Sequence, residues 1–578
     1  MKSNSKFNKI LYTFVVLILI GWGRLFHLQV LLKDHLNQLS QYNFTRLDKI
    51  YVPRGNIVDT HGKILATNKP IIELYWYGTG KRTLTTHQKE VLLALEEITH
   101  QSFLEEKEIK NINRAEQLEH ILLLIRDIDF GELSCITEKL GHEPNLIIKS
   151  SFKRFYPYKK LASHAIGYLA HHGTEPDGKM GLEKIFQDAL RGKPGIKRST
   201  VNAIGKSLQE KEDKAGIAGQ TIRTTLDFEL QKRAEQSFPA NWGGCFIIMD
   251  PETGALRTFL SRPNFDPSIF LKPLSHETWK TIQEKRPFLN RTCEACYPPA
   301  SLFKLVTVAA ALETGIVSQD TTCVCKGYYT FCNRKYHCNN HQGHGPITFK
   351  ESLAQSCNII FFKIAQHLSI DTLAEYANRF SLGKSTGIIF PEKTGLIPSS
   401  SWKLHTKGER WWKGETLSAV IGQSYLLVTP LQIARMLSSI FKGFLVKPRL
   451  LEDEEVERSE LNILPSTLKF LRDSMKETVE YGTGQRLRNI ENMEIYAKTG
   501  TAQISSLRNR YLNDQLREHA WLVANIQYKN AKPLTMVILV EHGGGSRAPA
   551  LVAKKFLKNY QNYMHETEIK NLAASYEV

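Results

Sequence analysis

No nucleic-acid motif accompanies the formal charge of +18 carried by this 578-residue chain. That absence argues against DNA or RNA as the partner. A place beside anionic lipid or an anionic polymer is the better use of the charge. Acidic residues are missing ahead of Asp34, and only one long apolar run is present. No small-residue cleavage site follows that run, which argues for an uncleaved anchor rather than a removed signal. Disorder is excluded by hydrophobic and aromatic contents of 42% and 10%. The length excludes one small domain and predicts at least two.

The apolar run extends from Ile10 to Gly23 and continues beyond Arg24 through Leu25, Phe26, Leu28 and Val30 to Leu32. A spanning helix needs about 20 residues, so it must include Arg24, whose charge can snorkel to the interface. Lys2, Lys6 and Lys9 precede it. The positive-inside rule then predicts residues 1–9 in the cytoplasm, an anchor over 10–32, and the bulk of the chain outside the inner membrane.

Residues 33–235 read as a non-catalytic segment. Val52-Pro53-Arg54-Gly55-Asn56-Ile57-Val58-Asp59 predicts a turn leading into a strand. Residues 84–140 carry helical spacing: Val91, Leu92, Leu95 and Ile98, then Leu118, Ile121, Leu122 and Ile125. Arg154-Phe155-Tyr156-Pro157, His164-Ala165-Ile166-Gly167-Tyr168 and Gly181-Leu182-Glu183 follow. None of these is a catalytic set.

From 236 to 565 the pattern changes. Gly244 to Asp250, Ala255 to Ser261, Ile495 to Gln503, Ala520 to Tyr528 and Leu534 to Glu541 are strand-like, with helical patterns between. This predicts an α+β domain, an antiparallel sheet with helices packed around it. Tyr297-Pro298-Pro299-Ala300 leads into Ser301, and an almost wholly apolar helix from Leu302 to Leu312 follows. Ser301 falls at that helix's N-terminus, where the dipole favours a developing anion. Lys304, three residues on, shares its face. A lysine in so apolar a helix is costly as a cation, which suits it to act as a base. The basic aromatic stretch Lys403 to Lys413 reads as a solvated loop, and residues 566–578 as a polar tail.

Ser301-Leu302-Phe303-Lys304, Ser356-Cys357-Asn358 and Lys498-Thr499-Gly500 stand in the order S-x-x-K, S-x-N, K-T-G. Together with the anchor, P-R-G-x-I-x-D, R-x-Y-P, H-x-I-G-Y and G-x-x-G-L-E, this order resembles the class B penicillin-binding proteins over nearly the whole chain. The resemblance implies a transpeptidase/β-lactamase-like domain on an elongated, dimerisation-like pedestal. It implies Ser301 as nucleophile, Lys304 as base, Ser356 as proton relay, and Asn358 bonded to Lys304 and the substrate amide. Lys498 and Thr499 would grip the substrate carboxylate, and Gly500 would let a peptide backbone approach. The backbone N–H groups of Ser301 and Thr501 would form the oxyanion hole. Three departures are Thr60, where the family usually has arginine, which puts a local salt bridge in doubt; Ala300, where it usually has glycine; and Leu302, where it often has threonine or valine.

Nine cysteines raise a separate question. Cys323, Cys325, Cys332, Cys338 and Cys357 concentrate between the first two motifs, with His337, His341 and His344 among them. Outside the cytoplasm this fits disulfides, in a loop it also fits tetrahedral zinc, and free buried thiols are the third reading. The resemblance favours a structural zinc on Cys325, Cys338, His344 and Cys357, with Cys323 as a substitute for Cys325. No cofactor is required for acyl transfer itself.

The expected activity is that of a serine-type D-Ala-D-Ala transpeptidase of the elongation branch, with a D,D-carboxypeptidase side activity possible. Expected partners are peptidoglycan stem peptides, lipid-linked precursor, a SEDS-type membrane glycosyltransferase with its elongation complex, the membrane and β-lactams. A septal transpeptidase and a silent β-lactam-binding scaffold are the alternatives.

Overall fold

The computed structural model describes residues 3–36, 45–172, 175–201, 207–272, 274–503 and 517–576. Lys2 and the last two residues of the expected tail lie outside them. The chain packs as two compact units: residues 1–55, 68–153 and 188–220, and residues 56–67, 154–187 and 221–578.

In the first unit, helix α1 (Ser3–Phe26) continues through a π-helical turn, His27–Leu31. Phe7–Leu31 is long and apolar enough to cross a membrane and contains Arg24. Strands 45–50, 195–201 and 207–214 form a three-stranded antiparallel sheet. The helical spacing of Val91, Leu92 and Leu95 is realised in the helix Thr86–Thr99, which buries those three residues with Trp76, Ile112 and Ile136. The second half of that spacing is not helical. Ile121–Arg126 is a strand paired with Glu73–Tyr77. Its run of five apolar residues is too short to distinguish helix from strand by period, and pairing to a neighbouring strand decides it.

Glu116 is fully buried in this core, where it accepts from Trp76 Nε1 at 3.0 Å, the Thr79 amide at 3.1 Å and Gln88 Nε2 at 3.0 Å. Burial pushes its pKa up, but hydrogen bonds from Thr79, Gln88 and Trp76 hold it below its ordinary value.

The second unit is built on a five-stranded antiparallel sheet. Its strands are β1 (Gly244–Met249), β2 (Leu256–Arg262), β3 (Met493–Ala502), β4 (His519–Tyr528) and β5 (Leu534–Val540). Their order is β2-β1-β5-β4-β3, so β3 is an edge. β1 and β5 are buried along their whole length, hence their near-continuous apolar sequences. On one face, Phe246 and Ile538 pack with Val552, Phe556 and Leu557 of the C-terminal helix Arg547–Tyr576. On the other, Thr535 Oγ1 lies 2.8 Å from Ser438 Oγ of the helix Pro430–Lys442. This is the expected α+β architecture.

Four features depart from the sequence expectation. Segments 56–67, 154–187 and 221–235, read as pedestal, pack with the sheet unit. Arg154 Nε donates to Glu183 Oε1 at 2.7 Å with both side chains buried, and His164 Nε2 lies 2.7 Å from the Pro287 carbonyl. The R-x-Y-P, H-x-I-G-Y and G-L-E strings are therefore structural ties within this unit. Second, Thr60 hydrogen-bonds Glu452 at 2.5 Å and accepts from Arg257 at 3.0 Å, so Arg257 supplies the cation the departure at Thr60 had put in doubt. Third, the tail from Glu566 continues the helix to Tyr576, because no glycine or proline follows Pro549 to stop it. Fourth, the stretch from Lys403 is not a loop throughout. Ser400–Lys407 is helical, and Lys403 is buried with its Nζ 2.7 Å from both Glu415 oxygens.

Candidate functional site

Ser301 does not begin the α-helix itself. It sits in a 3-10 turn, Ala300–Leu302, that feeds the α-helix Lys304–Glu313. Ala300 has φ +50°, a left-handed conformation that costs a side chain roughly 1–2 kcal/mol. That is the physical sense of a position where glycine is usual. The Ala300 amide donates to the Gly422 carbonyl at 2.8 Å. Gly422 has φ +76°, and a Cβ there would lie 2.0 Å from the Ala300 oxygen, so the turn closes only over a glycine.

Lys304 is fully buried. Its Nζ reaches the second motif: 2.8 Å to the Ser356 carbonyl, 3.1 Å to the Cys357 carbonyl, 2.8 Å to Asn358 Oδ1 and 3.3 Å to Ser356 Oγ. Burial pulls its pKa down to about 8, against an opposing pull from the Cys357 and Cys338 sulfurs. Ser301 Oγ has no hydrogen-bond partner among the described residues. Lys304, three residues on, is engaged with S-x-N instead.

The second motif lies between two short helices, Phe349–Ala354 and Ile359–Ile364. Ser356 takes φ +57°, which turns it inward, and Asn358 Nδ2 donates to the His337 carbonyl at 3.0 Å. The third motif lies on edge strand β3. Lys498 is fully buried, its Nζ 3.1 Å from Ser356 Oγ and 3.2 Å from the Thr499 carbonyl. Burial, and then the charge of Lys304, hold its pKa well below the ordinary lysine value. Ser356 Oγ thus stands between two lysine amines. Two ammonium groups around one buried hydroxyl repel, so the arrangement favours one neutral amine, a stored base.

A Cβ on Gly500 would meet the Pro299 carbonyl and Leu302 Cγ at 3.3 Å, so the glycine also lets the Ser301 turn pack closely against the strand. Thr501 follows in register with Ala520, half-buried on the edge strand. Thr483, which sequence reasoning passed over, has its Oγ1 2.6 Å from Thr499 Oγ1. Its only signal is a threonine between two glycines, Gly482 and Gly484.

Cys325, Cys338, His344 and Cys357 converge, their ligand atoms all within 4.8 Å of one another. Cys338 Sγ lies 3.7 Å from Cys357 Sγ and 3.6 Å from His344 Nδ1, which lies 3.4 Å from Cys325 Sγ. A tetrahedral ion with Zn–S near 2.3 Å and Zn–N near 2.0–2.1 Å would set such edges at about 3.5–3.8 Å. The donor types and these three edges are compatible with a tetrahedral ion, within a group that spreads to 4.8 Å. Cys323 is buried but outside the group, so Cys325 is the better-placed candidate. The Asn358 amide lies 3.4 Å from Cys338 Sγ, which joins this cluster to the S-x-N turn.

Comparison with known proteins gives a consistent picture. Residues 244–560 match the penicillin binding protein transpeptidase domain, and residues 49–224 the penicillin-binding protein dimerisation domain. The chain is 27% identical to the peptidoglycan D,D-transpeptidase MrdA of Haemophilus influenzae, over 95% of this chain and 90% of that protein. It is 25% identical to MrdA of Escherichia coli K12, over 94% and 92%. Among solved structures, the complex between penicillin-binding protein PBP2 and MreC from Helicobacter pylori aligns with a TM-score of 0.77 at 27% identity, covering 90% of this chain and 99% of that one. A peptidoglycan synthase complex that coordinates polymerization and crosslinking aligns with a TM-score of 0.74 at 27% identity, covering 96% and 98%.

Proposed function

This chain belongs to the penicillin-binding protein transpeptidase family, and from that membership and the geometry around Ser301 we propose that it cross-links peptidoglycan as an elongation-type D,D-transpeptidase. Ser301 Oγ attacks the carbonyl of the penultimate D-alanine of a donor stem peptide. Lys304, whose pKa of about 8 leaves a neutral fraction near pH 7, takes the hydroxyl proton. The backbone N–H groups of Ser301 and Thr501 hold the oxyanion. Ser356 relays a proton to the departing D-alanine amine. An acceptor amine from a neighbouring stem peptide then attacks the ester and regenerates Ser301. Water in the acceptor's place gives the carboxypeptidase side reaction.

The observation that carries this reading is the Ser356 hydroxyl 3.3 Å from Lys304 Nζ and 3.1 Å from Lys498 Nζ, with Ser301 in the turn that feeds the helix of Lys304. It supports a proton path between nucleophile and leaving group. Asn358 accepts from Lys304 and gives one Nδ2 hydrogen to the His337 carbonyl, which leaves its second Nδ2 hydrogen for the substrate. Thr499 and Lys498 recognise the terminal carboxylate. The septal and silent-scaffold alternatives have no observation in their favour.

Zinc on Cys325, Cys338, His344 and Cys357 would be structural, since four protein ligands leave no open coordination position. What the chain's own residues do there is orient: Cys357 is the middle residue of S-x-N, and the Asn358 amide points at Cys338 Sγ. The helix Ser3–Phe26 anchors the chain with its N-terminus in the cytoplasm. The pedestal meets a SEDS-type glycosyltransferase, in keeping with the peptidoglycan synthase complex solved for a relative, and an MreC-type partner fits the complex solved for another.

The test is covalent labelling of the purified protein with a fluorescent penicillin, followed by cross-linking of lipid-linked precursor with and without the membrane partner. Ser301→Ala should abolish labelling and leave the melting temperature nearly unchanged. Labelling that survives in the variant would assign the nucleophile elsewhere.

A further inference from the structure

Glu541 has no part in the three motifs, yet it is wired to the segment that delivers Ser301. Tyr297 is buried, and its hydroxyl donates to Glu541 Oε1 at 2.7 Å. Arg291 Nε donates to the other carboxylate oxygen at 2.8 Å, with the Arg291 side chain 7% and the Glu541 side chain 17% exposed. A carboxylate clamped on both oxygens in so sheltered a place is a fixed point rather than a solvated charge.

From Tyr297 to Ser301 the chain is a stiff strut. Pro298 and Pro299 each lock φ. The strut is tied at every step. Tyr297 exchanges two backbone bonds with Val428 at 2.9 Å each, the Pro298 carbonyl accepts from Trp521 Nε1 at 3.0 Å, and Ala300 donates to Gly422. A shift at Tyr297 therefore passes to Ser301 with little damping.

The far end of the tie is equally informative. Glu541 directly follows Val540, which stands opposite Ala520, which stands opposite Thr501. Trp521, bonded to the strut, stands opposite Gly500. The Tyr297–Glu541 bond thus joins the lead-in of Ser301 to the sheet row that ends on Thr501. These two residues carry the backbone donors assigned to the oxyanion hole, and the distance between those donors has to be right for the transition state, not for ground-state binding.

We propose that Glu541, held by Arg291, is a positioning residue for acyl transfer: through the Tyr297 hydroxyl it sets Ser301 against Thr501. The proposal builds on the acyl-transfer reading above. It is tested by acylation kinetics of the full-length protein with a fluorescent penicillin at several concentrations, which separates the acylation rate constant from the dissociation constant of the pre-covalent complex. Tyr297→Phe keeps the ring packing and removes only the donor. It should slow acylation by between about 10-fold and 100-fold, as expected for a small misplacement of reacting groups, while pre-covalent affinity stays within about twofold. Glu541→Ala should act alike, Glu541→Gln should recover most of the rate because an acceptor oxygen remains, and Tyr297→Phe added to Glu541→Ala should cost little more. Acylation of Tyr297→Phe at the wild-type rate would overturn the proposal. So would a loss confined to pre-covalent affinity, or fully additive effects in the double variant. Failure of the wild-type protein to react with penicillin would instead refute the acyl-transfer reading, a separate result.

Discussion

Thr483 Oγ1 lies 2.6 Å from Thr499 Oγ1. The two hydroxyls come from a loop after the helix Pro465–Glu480 and from the K-T-G strand. Thr483 is also tied to the second motif's helix, its amide donating to the Ala354 carbonyl at 3.3 Å. This residue therefore bridges the elements that carry S-x-N and K-T-G, and it holds the rotamer of Thr499. Thr483→Val preserves shape and removes the hydroxyl. One neutral hydrogen bond is worth about 1 kcal/mol, so binding of a carboxylate-bearing substrate should weaken by roughly 5-fold. Pre-covalent affinity for penicillin reports it. Unchanged affinity would leave Thr483 with a packing role only.

The buried Arg154–Glu183 pair makes a prediction about stability rather than chemistry. Both side chains are 1% exposed or less, and the Tyr156 hydroxyl adds a bond to Glu183 at 3.3 Å. Glu183→Gln removes the carboxylate that Arg154 Nε donates to at 2.7 Å and weakens a buried ion pair. Such losses cost about 3–5 kcal/mol. Chemical denaturation should register the loss, while the penicillin-acylation rate of the molecules that remain folded should match wild type. A stability change under about 1 kcal/mol would show that the pair is dispensable.

His164 sets a pH dependence. It is buried, donates from Nε2 to the Pro287 carbonyl and packs edge-on against Phe265. Burial lowers its pKa from 6.5 to about 4, with Arg291 and Arg262 adding to the effect. The unfolded chain then binds a proton that the folded chain refuses. Above pH 6.5 both states are neutral and stability is complete; it falls as pH drops from 6.5 towards 4, by about 3 kcal/mol over the full window. His519, also lowered to about 4, adds a similar slope. Thermal melts of wild type and His164→Gln between pH 7 and 4 should diverge, the wild type losing more. Parallel curves would show that His164 is not the titrating group.

How much of this was legible in the sequence follows from which contacts are local. The five strands were readable because alternating or continuous apolar runs end in turns, and the order of three short motifs pointed to one site. Lys304 burial followed from an apolar helix. What was not readable depends on distance along the chain. The Thr483–Thr499 bond joins a loop to a strand. The partners of His164 and Arg154 lie 123 and 29 residues away, so their packing with the sheet unit left no periodic trace. Ile121–Arg126 read as helix because five apolar residues fit either period. Lys403 read as solvated because its partner, Glu415, lies in the next helix.

The last prediction concerns the metal cluster. Its four donors lie in the segment that leads into S-x-N and in the middle residue of that motif, so a metal bound there would couple to the site geometry. Cys338→Ser removes one ligand and the sulfur that faces the Asn358 amide. It should lower the melting temperature and slow penicillin acylation together, the latter by about 10-fold to 100-fold as for other groups that orient a site from behind. Chelator treatment of the wild-type protein should reproduce both effects, and added zinc should reverse them. The competing arrangement is a disulfide, for which Cys338 and Cys357, with sulfurs 3.7 Å apart, are near enough after a small shift. The two readings separate cleanly because a thiolate that ligates zinc is released by chelation, whereas a disulfide is released only by a reductant. Elemental analysis of protein purified without a histidine tag should find about one zinc per chain. A value well under half an equivalent, with thiol titration showing these cysteines oxidised, would remove the metal and leave the disulfide as the brace behind Ser356.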